Sequence, residues 1–115
     1  MYKFAYGEVL EEVPKLARER ERMALEKAIE MLKIAEEKGP KSVETVEALF
    51  FVRRLWGIFI EDLAKAENEL PHEVRAALVS VGLWVMNEAE EIRQGRSKDF
   101  KGLIDVSRTI AEGLR

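Results

Sequence analysis

One segment of the chain, from about Val46 to Leu63, is too apolar to be an ordinary amphipathic surface helix. Helical spacing sorts its large side chains into two stripes. The first stripe consists of Leu49, Val52, Trp56, Phe59 and Leu63, and the second of Phe51, Leu55 and Ile58. A helix that is apolar on more than one face has to be covered on more than one face. The segment is therefore predicted to lie centrally in a helical bundle or to dock against a partner.

Helical periodicity also dominates the rest of the sequence, which has no sustained alternation of apolar and polar residues and no Asn-Gly or Asp-Gly turn. Four helices are predicted: about Pro14 to Lys38, Val43 to Ala64, Pro71 to Gln94, and Phe100 to Glu112. The connections are short, and short connections make neighbouring helices antiparallel. We therefore predict an all-α fold, a single-domain four-helix up-and-down bundle that spans residues 1–115.

Several residues mark the predicted helix ends. Gly39 and Gly95 suit the stops after the first and third helices, and Ser42 is placed to cap the second. Either Ser97 or Asp99 could cap the last helix. The predicted core stripe of the third helix consists of Val74, Ala77, Leu78, Val81, Val85, Ala89 and Ile92.

The composition excludes several kinds of chemistry. The sequence has no cysteine, which rules out disulfides, thiolate metal sites and thiol catalysis. Its single histidine, His72, falls in a predicted first helical turn, and a nucleophilic triad or a histidine metal pair has no other candidate. No glycine-rich phosphate loop and no calcium loop is present. The sequence therefore predicts a binding protein, not an enzyme, and no cofactor.

The charge pattern bears on possible partners and location. The formal net charge is −3 with a sequence pI of about 5.4, which disfavours a nucleic acid partner. The segment Glu61–Glu91 carries eight acidic residues against two basic ones, whereas Arg93–Arg115 carries six basic residues against three acidic ones. The sequence contains no secretory h-region and no apolar stretch long enough to cross a membrane. A cytoplasmic location without membrane attachment is expected.

Ten blocks of the sequence occur in the order of a known family: Ala5-Tyr6, Arg20–Arg22, Phe50–Trp56, Glu61–Ala64, Glu67–Pro71, Arg75–Gly82, Trp84–Met86, Glu91–Gly95, Gly102–Arg108 and Gly113–Arg115. Together these blocks resemble the FlaF family of flagellar biosynthesis regulators from alphaproteobacteria. The resemblance covers nearly the whole chain, and one departure is Ala66, where the family's proline is expected before Glu67 and Asn68. This departure puts the shape of that connection in question.

The resemblance implies a role in flagellum assembly. Proteins of this family are needed for the production or secretion of flagellin and work opposite a second regulator, FlbT, which restrains flagellin translation. The family is thought to contact flagellin itself, whose terminal segments are unstructured before assembly and carry amphipathic helix patterns. We therefore expect a flagellin-binding regulator with the character of an export chaperone, which holds an amphipathic helix in an apolar groove.

The surplus apolar surface of the second and third helices supplies candidate groove residues. Aromatic and arginine side chains are enriched at the centres of protein interfaces. Apolar residues are expected to act as anchors, and Arg54 and Asn87 as polar residues that orient the partner. The full predicted set is Phe51, Arg54, Leu55, Trp56, Ile58, Leu83, Trp84 and Asn87. The competing interpretation is that the apolar members of this set fill an ordinary core.

Two other functions stay open at the level of the sequence. A regulator of flagellin translation could contact RNA directly through the basic segment Arg93–Arg115, and its affinity would then fall steeply with salt. A structural homodimer could instead bury the second apolar stripe against another copy of the chain. The oligomeric state is not predicted.

Overall fold

The computed structural model describes residues 6–114, with side chains from residue 17 onward. This range contains four helices, α1 (Tyr6–Lys38), α2 (Val43–Ala64), α3 (His72–Arg93) and α4 (Phe100–Gly113), and no strand. The all-α four-helix bundle is confirmed. The bounds of α2 agree with the prediction, whereas α1 begins at Tyr6 and extends eight residues further towards the N-terminus than predicted. Within the described range, no helix is long and apolar enough to cross a membrane.

The turn between α1 and α2 is closed by glycine geometry and two hydroxyl groups. Gly39 has a φ of 102°, a conformation that side chains other than glycine rarely adopt. The Ser42 hydroxyl accepts a 3.1 Å hydrogen bond from the Thr45 backbone N–H, which is the predicted cap of α2. Thr45 is 1% exposed, and its hydroxyl donates to the Gly39 carbonyl at 2.7 Å. These contacts fix the reversal of the chain between the two helices.

Cross-helix contacts give the relative directions of the first three helices. Thr45 near the start of α2 lies against the end of α1, and Phe51 further along α2 lies near Lys27 in the middle of α1. On the other side of α2, Arg53 pairs with Glu90, while Ile60 lies close to Gly82. Because residue numbers rise along α2 as they fall along both partners, α2 is antiparallel to α1 and to α3.

All four helices contribute buried side chains to the core. Its largest fully buried side chains include Leu25 and Leu32 of α1, Trp56 of α2 and Leu103 of α4. The backbone of α4 lies against α1 and approaches α3 at few points, and the described parts of α1 and α3 have no close backbone approach. The helix α3 is therefore held in the bundle almost entirely by α2.

The predicted core stripe of α3 is wrong in its first half. Val85, Ala89 and Ile92 are buried as predicted, but Val74 is 43% exposed and Ala77 is exposed. Leu78 and Val81 are only partly buried. The physical reason is that α3 has only α2 as an extensive neighbour, so no second helix covers its N-terminal half.

The connections on either side of α3 are ordered by short polar contacts. The helix α2 ends at Ala64 despite Ala66, and the Asn68 side-chain amide donates to the Asp62 backbone carbonyl at 3.2 Å. After α3, Gly95 has a φ of 78°. Asp99 is the cap of α4, because its carboxylate accepts a 2.9 Å hydrogen bond from the Gly102 N–H.

Candidate partner-binding groove

The outward face of α2 carries a line of exposed apolar side chains. Val43, Val46 and Phe50 are 67%, 64% and 67% exposed. They follow one another at spacings of three and four residues, so they lie along one side of the helix. Single exposed apolar residues are common on protein surfaces, but a contiguous line of them is typical of an interaction surface.

A groove of about 460 Å³ lies between the first half of α2 and the last half of α3. Val46 and Phe50 form part of its α2 wall, and Met86 contributes from α3. Helices supply both walls, and the surface lining the groove is mostly apolar. Its lining residues are Pro40, Thr45, Val46, Leu49, Phe50, Arg53, Arg54, Met86 and Arg93. The groove is thus open and largely apolar, and three arginines border it.

One carboxylate organises two of these arginines. Glu90 accepts from Arg53 Nη1 at 3.2 Å across the two helices. It also accepts from Arg93 through Nε at 2.9 Å and through Nη2 at 2.6 Å, which is a two-pronged arrangement. Arg54 is exposed and makes no ion pair with any residue whose side chain is described. The groove therefore has more arginines than acidic groups to neutralise them.

The same contacts predict how Glu90 titrates. Hydrogen bonds from Arg93 and from the Gln94 side chain, helped by the charges of Arg93 and Arg53, lower the pKa of Glu90 from 4.5 to about 2. A lowered pKa in the folded state means that this carboxylate contributes stability above about pH 4.5 and that the contribution is lost as the pH falls towards 2. In a carbon-detected NMR titration, the Glu90 side-chain carboxyl carbon is expected to have its midpoint near 2. A midpoint at 4.5 would contradict the arginine contacts.

The structure places two of the predicted anchors in the core. Trp56 is 1% exposed and Leu55 is 9% exposed, so neither presents its side chain to a partner in this conformation. Phe51 is partly buried, and its ring lies under the ammonium group of Lys27 at 5.3 Å. These three residues lie in the core or against it, as the competing interpretation of them as core residues expects. The second apolar stripe of α2 is split, because only Ile58 stays 54% exposed.

The remaining predicted residues are exposed but do not meet in one groove. Leu83 and Trp84 are 59% and 40% exposed, and Asn87 is also exposed. Of the eight predicted residues, Arg54 is the one that lines the groove between α2 and α3. A binding role for the exposed members stays a prediction.

Apart from Arg54, the predicted set left out the residues that line the groove, among them Val46 and Phe50. Val43, Val46 and Phe50 form a third apolar line on α2, which the two predicted stripes left out. The signal was their helical spacing immediately before the arginine pair Arg53-Arg54. The contribution of α3 could not be seen in this way, because it depends on how the two helices pack.

The described residues contain no cluster of three or more histidine, cysteine, aspartate or glutamate side chains that could hold a metal ion. What the groove offers instead is apolar contact area together with guanidinium groups. Such a surface can bind a partner and fix its orientation, since apolar area supplies affinity and planar guanidinium groups bind carboxylates in defined directions.

Comparison with known proteins gives one match. The family model described as flagellar protein FlaF matches residues 2–114. No curated protein and no solved structure matches significantly. Because the family model covers nearly the whole chain, the resemblance seen in the sequence is confirmed, and the chain belongs to the FlaF family of flagellar proteins.

Proposed function

We propose that this FlaF-family protein binds monomeric flagellin and promotes its production or secretion, in the manner of an export chaperone and in opposition to FlbT. The observation that carries the proposal is the exposed apolar line of Val43, Val46 and Phe50 on α2. A flagellar protein that leaves such a line uncovered has a surface suited to an apolar partner.

Flagellin fits this surface for a physical reason. Its terminal segments are unstructured before assembly and carry amphipathic helix patterns, so each has an apolar face to bury. A groove walled by two helices can take such a segment as a further helix. Binding would shield the apolar face until export, and the complex would form in the cytoplasm.

Isothermal titration of the purified protein with monomeric flagellin tests the proposal. We expect saturable heat at micromolar to tens of micromolar concentration, about the affinity of a reversible regulatory complex, and co-elution on size-exclusion chromatography. The absence of both heat and co-elution at these concentrations would overturn the proposal. Flagellin lacking both terminal segments is the matched control and is expected not to bind.

Ion pairing weighs against direct RNA binding by the basic segment Arg93–Arg115. Arg93 pairs with Glu90, Arg96 with Glu91, and Arg108 lies 3.8 Å from Asp105. Each pairing reduces the positive potential available to phosphates. In the same calorimetric titration, the leader segment of a flagellin messenger RNA is expected to show no salt-sensitive binding to the protein.

A further inference from the structure

We infer that the groove between α2 and α3 binds one amphipathic helix of about three turns whose polar edge carries a carboxylate, and that Arg54, with Arg53 and Arg93, recognises this carboxylate. The inference rests on the proposed function, since it takes the helix to be a segment of flagellin. It specifies which surface of the protein binds the segment, how long the bound helix is and which charge it carries.

The expected length of the bound helix follows from the length of the groove. On α2 its lining residues run from Thr45 to Arg54. At 1.5 Å per residue, this length is about 14 Å, which is roughly three turns of a helix lying alongside. Leu49 and Met86 line the groove together with Val46 and Phe50, so apolar residues spaced three or four apart on the occupant would meet apolar partners.

The expected negative charge of the bound segment follows from the arginines that border the groove. The protein has a net charge of −3, yet Arg53, Arg54 and Arg93 border this groove and Glu90 is the acidic group that pairs with two of them. Glu90 shows how a carboxylate fits here, because it takes one bond from α2 and two from α3. A carboxylate on the occupant would find Arg54 exposed beside this cluster.

The same charges argue against a second copy of the chain as the occupant. In a two-fold symmetric dimer the same patch serves as both surfaces. Two copies of this groove placed face to face would bring two arginine clusters together, and juxtaposed like charges oppose association. An acidic partner meets no such cost.

Matched surface variants test the apolar part. Val46→Ser and Val74→Ser make the same change at exposed valines, which are 64% and 43% exposed, but only Val46 lines the groove. Val74 lies near the start of α3 and outside the exposed apolar line of α2. We expect Val46→Ser combined with Phe50→Ala to weaken flagellin binding by about tenfold or more, as for central interface residues, and Val74→Ser to change it by less than about twofold. Because all three side chains are exposed, circular dichroism melts should show every variant folded.

A charge reversal at Arg54 tests whether this arginine recognises a carboxylate of the bound segment. Arg54→Glu is expected to weaken flagellin binding by about tenfold at low salt, and less at high salt where the charges are screened. Lys33→Glu on α1 makes an equal charge change at an exposed position away from the groove and is expected to bind as the unaltered protein does.

The outcomes separate the two proposals. If the unaltered protein fails to bind flagellin, the proposed function fails and this inference with it. If the unaltered protein binds but the groove variants bind equally well, the flagellin function stands and the groove assignment is overturned. If light scattering instead shows a concentration-dependent dimer that Phe50→Ala abolishes, the occupant is a second copy and the inference is wrong.

Discussion

Replacing Trp56 with alanine is expected to lower the free energy of unfolding by about 3–5 kcal/mol, the usual cost of deleting a large buried aromatic side chain. Trp56 is 1% exposed and belongs to the core cluster. Its ring meets the Phe59 ring edge to face, with centroids 5.2 Å apart. Alanine would leave a cavity at the place where α2 holds α3, and α3 has no other extensive neighbour in the described chain.

Urea denaturation monitored by circular dichroism measures this effect, with Ile58→Ala as the control. Ile58 is two residues away on the same helix and 54% exposed, so its truncation is expected to cost no more than about 1 kcal/mol. Equal costs for the two substitutions would show that Trp56 is not a core residue. That result would restore it as a candidate partner anchor.

The helix bounds could be predicted well from the sequence because their signals are local. Gly39 and Ser42 act within a few residues of themselves, and so does Asp99. Each signal reflects backbone geometry or one hydrogen bond to a nearby N–H. The sequence predicts too late a start for α1 because Pro14 suits a first helical turn, whereas the helix begins at Tyr6 and includes this proline.

The division of apolar residues into core and surface could not be predicted in the same way. On α2, Leu55 and Ile58 belong to one stripe, yet the first is buried and the second is not. On α3, Val85 is fully buried whereas Val74 on the same stripe is 43% exposed. Periodicity shows which side chains share a face, but how far along the helix that face is covered depends on the position of its neighbour.

The groove, too, depends on how neighbouring helices pack. It exists because the first half of α2 lies beside the last half of α3, and Arg53 and Glu90, which join its walls, are 37 residues apart in sequence. The exposed line on α2 is visible in the sequence. Its pairing with Met86 and Arg93 is a property of the antiparallel packing.

A second large effect is expected at Gly82, where α3 lies close to side chains of α2. A Cβ atom added at Gly82 would lie 3.0 Å from Trp56 Cε3 and 3.0 Å from Ile60 Cδ1, which is tighter than ordinary van der Waals contact. Overpacking costs about 1–3 kcal/mol, and the better helix propensity of alanine returns up to about 1 kcal/mol of it. Gly82→Ala is therefore expected to lower the free energy of unfolding by about 1 kcal/mol, within a range of about 0–2 kcal/mol.

Gly57→Ala is the matched control for this substitution. A Cβ atom added at Gly57 meets no heavy atom of the described residues within 4 Å, so alanine there gains helix propensity without a clash. It is expected to raise the free energy of unfolding by about 0.5–1 kcal/mol. Opposite signs for the same chemical change on adjacent helices would locate the close approach at Gly82, and equal signs would contradict it.

A double-mutant cycle identifies the side chain that opposes the added methyl group. If the rigid ring of Trp56 is the obstacle, removing it opens a cavity that accepts a methyl group at position 82. In the Trp56→Ala background, Gly82→Ala should then cost nothing or stabilise the protein, giving a coupling energy of about 1–3 kcal/mol. An unchanged cost in that background would point to Ile60 as the obstacle. The flexible end of the Ile60 side chain can move aside more easily than a ring, so we expect the cycle to show coupling to Trp56.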